Sequence, residues 1–268
     1  RGLPRKLGGS WPQVGTIMGI TDKPVRGGRA AERDMLKLLL TDESCASSLL
    51  ATIAMARENF RTTRDIVPTE AWQGINELHI FARAQLRWAV SKRRRHDILS
   101  DIVARIQQLR GLLADTMSHG PAYHFLRSGT HLERADMCSR IIDVAVASLL
   151  HDPERLQRYD NTLWMSTLKS VSGYQMYRQY VRRRIRGADV LTFLFQDPDF
   201  PRAIRHCLGE IETCLKKLPN SGAVRAELES LLQQLIDLDV RKLDNAALHR
   251  VVDQFQVALA ALNQQVTD

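Results

Sequence analysis

A chain of 268 residues, 44% hydrophobic and 25% charged, has the make-up of an ordinary soluble globular protein and room for one large domain or two small ones. It has no run of about 18 uncharged apolar residues, so no transmembrane helix is expected. The formal charge of +8, with 30 of the 38 cations being Arg, points to carboxylate or phosphate contacts, although genome composition also enriches Arg. The opening RGLPRKLGGSWPQVG holds no apolar stretch suited to a secretory signal and no initiator Met, so the chain reads as processed or as a piece of a longer one. Strand signals are scarce along the rest. Apolar spacing of three and four predicts a helix over 44–66, with Leu49, Leu50, Ile53, Ala56 and Phe60 as its stripe. Pro68 ends it, and Thr69 is expected to cap the next, over 70–90, with Trp72, Ile75, Leu78, Phe81 and Ala82 inward. A third follows over 97–117 and a central one over 123–150. Shorter helices are expected over 163–171, 174–184, 189–195, 201–218, 223–236 and 245–266.

An internal repeat appears at an offset near 155. DMLKLLLTDESCASSLLATIAMARE (34–58) lies over DVLTFLFQDPDFPRAIRHCLGEIET (189–213). Leu36 falls on Leu191, Leu39 on Leu194, Leu40 on Phe195, Asp42 on Asp197, Leu49 on Ile204 and Ile53 on Leu208. Trp11 and Trp164 stand at nearly the same offset, and 97–113 matches 246–262 less clearly. The fold class expected is therefore all-α. A helical bundle of two pseudo-repeated halves, about 1–118 and 119–268, forms one domain with residues 1–28 loop-rich. The second half opens with the 123–150 helix. The first half has no counterpart to it, so the repeat predicts a helix missing upstream of residue 1.

Chemistry-bearing motifs are few. Cys45, Cys138, Cys207 and Cys214 form no CxxC or zinc-type pairing, and free buried thiols in a reducing cytoplasm are expected. His119, His124 and His131 precede Glu133, but neither HExxH nor Glu-x-x-His occurs, so surface or capping histidines and no metal are expected. No Walker A sequence, no GxSxG elbow and no cofactor signal is present, and the paired glycines at 8–9 and 27–28 read as connectors. Two basic runs, SKRRRH (91–96) and VRRRIRG (181–187), read first as solvated helix ends or loops, then as contacts to nucleic acid or an acidic surface.

The segment FLRSGTHLERADMCSRIIDV (125–144) closely resembles the signature of the alpha-E domain family, an all-helical bacterial family named for a Glu-Arg pair. ARENFRTTRDIVPTEAWQGIN (56–76) and FLFQDPDFPRAIRHCL (193–208) are similar to two further family blocks, in the right order. Family members usually carry a second Glu-Arg motif near their start, on a helix expected to be missing here. The resemblance implies a setting beside, or fused to, circularly permuted ATP-grasp proteins, with transglutaminase-like proteases and proteasome-like peptidases as frequent neighbours. It implies ATP-dependent amide-bond formation or peptide processing and leaves the domain's own role open.

The central segment poses its own question, because a helix that reads as buried nearly all round carries Glu133, Arg134, Asp136, Arg140 and Asp143. Asp136 and Arg140 are spaced i,i+4, Arg140 and Asp143 i,i+3, and these pairs can meet on one side. Glu133 and Arg134 diverge by about 100° and must look elsewhere. Arg57, Glu58, Arg61, Arg64 and Asp65 are the partners expected for them. A buried ion-pair network that fixes register ranks first, then a ligand or catalytic network, then a docking surface. The functional expectation is an accessory or substrate-engaging domain working with an ATP-grasp ligase. An enzyme in its own right, using the Glu-Arg network in a cleft, is the alternative. Nucleic-acid binding through 92–95 and 182–186 ranks below both, given 6% aromatic content and no recognised binding motif.

Overall fold

The computed structural model describes residue 15, residues 29–151 and residues 160–267. The expectations for Trp11, for the glycines at 8–9 and 27–28, for the loop-rich start and for a helix ahead of residue 1 lie outside these residues. Among the described residues every long element is an α-helix and there is no strand. In chain order they are α1 (Arg29–Thr41), α2 (Leu49–Thr62), α3 (Thr69–Ala89), α4 (Lys92–Thr116), α5 (Pro121–His151) and α6 (Asp160–Ser170). There follow α7 (Tyr174–Tyr180), α8 (Gly187–Gln196), α9 (Ile204–Leu215), α10 (Gly222–Asp237), a 3-10 turn (Val240–Lys242) and α11 (Asn245–Thr267). No helix among the described residues is long and apolar enough to cross a membrane.

The helices form two compact units, one within Val14–His119 and one within Gly120–Asp268. In the first, α3 lays down Ala71, Ile75, Leu78, Ala82, Leu86 and Ala89 at three- and four-residue spacing, all buried. They pack with Leu50 and Ile53 of α2 and with Ile98 and Ile102 of α4. In the second unit α5 is the spine, 31 residues long and so about 46 Å. It packs against α9 and α11. Helix α9 brings Ile204, Cys207, Leu208, Ile211 and Leu215, and α11 brings Leu248, Val252, Phe255, Leu259 and Leu262.

Helix ends depart from the sequence expectations for local reasons. Helix α2 starts at Leu49 rather than 44, because Asp42 Oδ1 accepts from the Ser44 N–H (2.9 Å) and its hydroxyl (2.5 Å) and holds a turn ahead of the helix. Ser48 is the actual cap, its Oγ accepting from Ala51 N at 3.2 Å. Thr69 is not a cap: Pro68 takes that position, and its carbonyl accepts from Ala71 and Trp72. The basic run 92–95 forms the first turn of α4 instead of lying ahead of it. Cations there oppose the helix dipole, but Arg95 has another task. Its guanidinium donates to Ala89 O and Val90 O, both at 3.1 Å, tying off the end of α3. Helix α7 stops at Tyr180, short of residue 184, since Arg182 adopts a left-handed φ of 51° that no helix continues.

The two Asp-led turns share one hydrogen-bond pattern. Asp197 Oδ1 accepts from Asp199 N at 2.9 Å, as Asp42 does from Ser44 N. Leu36 and Leu191, Leu40 and Phe195, and Ile53 and Leu208 are all buried.

Gly187, at the start of α8, has no room for a side chain. A Cβ there would stand 2.6 Å from Trp164 Nε1 and 2.9 Å from Trp164 Cε2. Trp164 cannot step aside, because it is 2% exposed and its indole N–H donates to Asp160 Oδ1 at 2.7 Å. Gly187→Ala should therefore destabilise the fold by about 1–3 kcal/mol through overpacking. A chemical-denaturation midpoint unchanged from wild type would contradict this packing.

Candidate functional site: a charge seam on the long helix

Arg127, His131, Arg134 and Cys138 are spaced four, three and four along α5 and so line one side of it. On α9, which packs against α5, Cys207, Glu210 and Cys214 recur at three and four. The two sets meet in a polar seam inside an otherwise apolar interface. Glu210 is its central carboxylate: Arg127 donates to Glu210 Oε2, and His131 Nε2 stands 3.7 Å from the same oxygen. The His131 ring lies 6.1 Å, centroid to centroid, from that of His206. Arg134 is half-buried; burial lowers its pKa, with Cys207 and Glu210 opposing and Arg202 adding to the fall. An Arg so placed remains charged.

Burial dominates the chemistry of the seam. It pushes His131 down to about 4, against the opposing pull of Glu210, so this ring is neutral at pH 7. Its Nδ1 is buried and has no hydrogen-bond partner among the described residues. Of the histidines expected at the surface or at caps, His119 does cap, its Nε2 2.9 Å from Ala114 O. His131 does not fit that expectation, since the 3.6-residue period turns it toward α9 and leaves it 6% exposed. All four cysteines carry free thiols. Burial raises Cys138 and Cys214, and lifts Cys207 to about 12. Thiols held protonated in this way are poor nucleophiles, so the seam is not built for cysteine catalysis.

The remaining charges of α5 are handled differently. Arg140 Nε donates to Asp136 Oδ2 at 2.7 Å, which is the pairing expected from their spacing. Asp143 is buried, its side chain 5% exposed, and His249 on α11 meets its Oδ1 through Nδ1 at 2.6 Å. Burial raises the Asp143 pKa, and the His249 hydrogen bond opposes that rise. On the other edge of the same ring, His249 Nε2 lies 3.8 Å from Asp253 Oδ2. Asp143, His249 and Asp253 could together offer three ligand atoms to a cation, all within 4.8 Å of one another. A buried carboxylate needs a donor in any case, and His249 already supplies one.

Glu133 stands apart. It is exposed and has no partner among the described residues. The Glu-Arg pair is thus split by the helical turn, Arg134 toward the seam and Glu133 away from it.

Arg57, Glu58, Arg61 and Arg64 belong to the first unit, as does Asp65, and the first four have contacts there. Arg57 Nε donates to Asn76 Oδ1 at 2.8 Å, and its guanidinium lies 5.4 Å from the Trp72 ring centroid. Arg64 stacks closer on the same ring, at 3.9 Å. Arg61 grips Glu58 through Nε and Nη2, and this bond holds the Glu58 carboxyl below its usual range. Arg61 and Glu58 are both about half exposed, so their ion pair adds little stability.

Sequence reasoning passed over Arg127, His206, Glu210 and His249. Their signal was present as polar residues at the inward period of α5, α9 and α11, but only packing shows which of them face one another. No curated protein and no solved structure matches the chain. The family signal is unambiguous in extent: the profile of Alpha-E, a predicted alpha-helical domain with a conserved ER motif, matches residues 5–268, and the chain belongs to that family.

Proposed function

We propose that this chain is an accessory, substrate-engaging helical domain acting with a circularly permuted ATP-grasp amide ligase in the bacterial cytoplasm. A transglutaminase-like protease is a further partner in the same peptide processing. The observation that carries the reading is the split of the Glu-Arg pair. Arg134 belongs to a buried seam, whereas Glu133 is an exposed carboxylate with no partner among the described residues, on a helix packed against α9 and α11. An exposed charge with no partner among the described residues is free to meet an amine or a cationic side chain of a substrate or partner. The buried thiols give the seam no nucleophile, in keeping with an engaging role beside an enzyme that activates the carboxyl group with ATP.

The test is reconstitution with the ATP-grasp protein of the same genome, following amide product and ADP together. Wild-type chain should raise product formation at least tenfold, about 1.4 kcal/mol of barrier. Glu133→Gln should abolish that gain with stability within about 0.5 kcal/mol of wild type. No complex and no change in rate would defeat the proposal. A second reading, an enzyme in its own right, is favoured by one arrangement only: His249 held by buried Asp143 and still 40% exposed, the form of an oriented base. It requires turnover by the chain alone that His249→Gln removes.

A further inference from the structure

The second basic run, VRRRIRG, is a turn rather than a helix, and its form is fixed from several sides. Val181 and Ile185 pack against the core of the second unit. Arg182 takes a φ of 51°, and its Nε donates to Gln179 O at 3.1 Å, closing the end of α7. Gly187, pressed against Trp164, sets the exit into α8. With the apolar members turned inward, Arg183, Arg184 and Arg186 are exposed. They line, with Arg241 from the 3-10 turn, a cavity of about 510 Å³ whose other lining residues among those described are Ala188 and Asp189.

The charge of that cavity is unbalanced. Asp189 is its one carboxylate among the described residues, and Arg241 Nη2 already holds Asp189 Oδ1 at 3.0 Å. Arg183, Arg184 and Arg186 have no carboxylate partner among the described residues. A convex surface would let three guanidinium groups splay into water. A concave one holds them near each other, where like charges repel, and that repulsion is relieved by an anion seated among them. The other basic run lacks this form: it is a regular helical turn, and its Arg95 is engaged with Ala89 O, Val90 O and Glu32.

We propose that the 181–187 turn and Arg241 form a binding site for the phosphate chain of a small polyphosphate. The planar Arg fork matches phosphate oxygens in pairs. A ligand carrying three or four negative charges suits three unmatched cations, and a half-open hollow of about 510 Å³ has room for a small molecule. Inorganic tripolyphosphate and a nucleoside triphosphate share this chemistry. Neither the α5–α9 seam nor Glu133 takes part, so the site stands independently of the function proposed above.

Isothermal titration of the full chain with tripolyphosphate, at about 0.15 M salt where weak surface attraction is screened, tests it. Saturable one-to-one binding with a Kd of about 10–100 µM is expected. The double variant R183Q/R184Q should bind at least tenfold more weakly with an unchanged melting temperature, since both side chains are exposed and neither has an ion-pair partner among the described residues. K92Q/R93Q, in the other basic run, should bind like wild type. ATP binding as tightly as tripolyphosphate would place recognition in the phosphate chain alone, and tighter ATP binding with the same sensitivity to R183Q/R184Q would identify a nucleotide as the ligand. The proposal is overturned by absence of saturation, by equal weakening in both double variants, by citrate binding as tightly as tripolyphosphate, or by binding confined to oligonucleotides and growing with their length.

Discussion

Stability should fall as the pH drops from 6.5 toward 4, and most of that fall should be missing from His131→Gln. The His131 side chain is 7% exposed, and burial takes its pKa from 6.5 to about 4. In the unfolded chain the same ring takes up a proton near 6.5. Between the two values the unfolded state binds more protons than the native state, so acid favours unfolding. The full contribution is present above pH 6.5 and is lost progressively down to about 4. A gap of this size corresponds to about 2–4 kcal/mol. Asp143 and Asp160 act in the opposite sense. Burial raises both above 3.8, so each stabilises the native state on acidification and loses that effect as pH rises through its folded value. The comparison of wild type with His131→Gln isolates the histidine from these carboxylates. Urea midpoints at pH 7 and pH 4.5 measure it, and an NMR titration should find the ring neutral at pH 5. Parallel pH profiles for the two proteins would show that His131 is not the group responsible.

Phe195→Ala should cost about 3–5 kcal/mol, while Phe125→Ala should stay within about 0.5 kcal/mol of wild type. The two residues are chemically identical and differ in place. Phe195 closes α8, is 0% exposed and meets the Phe255 ring of α11 at 6.1 Å between centroids. Truncation removes about a ring's volume from a fully buried site in the core, and the surrounding helices cannot collapse fully into the gap. Phe125 sits on α5 with 49% of its surface exposed. For a unit of this size the Phe195 variant should melt about 6–20 °C lower. Equal losses from both substitutions would show that the Phe125 face of α5 is covered in solution.

The candidate site was legible in part, and the reason lies in what spacing can encode. Asp136 and Arg140 are one turn apart on one helix, so i,i+4 geometry settles their meeting, and the 2.7 Å contact follows from the sequence. The divergence of Glu133 from Arg134 was legible on the same ground. The Arg127–Glu210 and Asp143–His249 pairs were not, because 83 and 106 residues separate their members. No local period links positions that far apart. The burial of His131 was missed for a related cause: a histidine in a polar-looking stretch gives no sign of facing another helix until that helix is in place.

The sequence by itself determined that the described residues form helices, which of their faces turn inward, and that they belong to the Alpha-E family. Three- and four-residue spacing and motif identity are local properties, carried within a few turns of chain. The tertiary structure showed where several helices begin and end, since these ends rest on side-chain contacts and a left-handed residue that apolar spacing does not encode, Arg95 tying off α3 and Arg182 breaking after α7. It also decided which charges are used inside the fold. Arg134 turns toward the α9 seam and Asp143 finds His249, while Glu133 and the arginines at 183, 184 and 186 are left facing outward. Partner choice of this kind is set by desolvation and by proximity across packed helices, and neither quantity is written along a single strand of sequence.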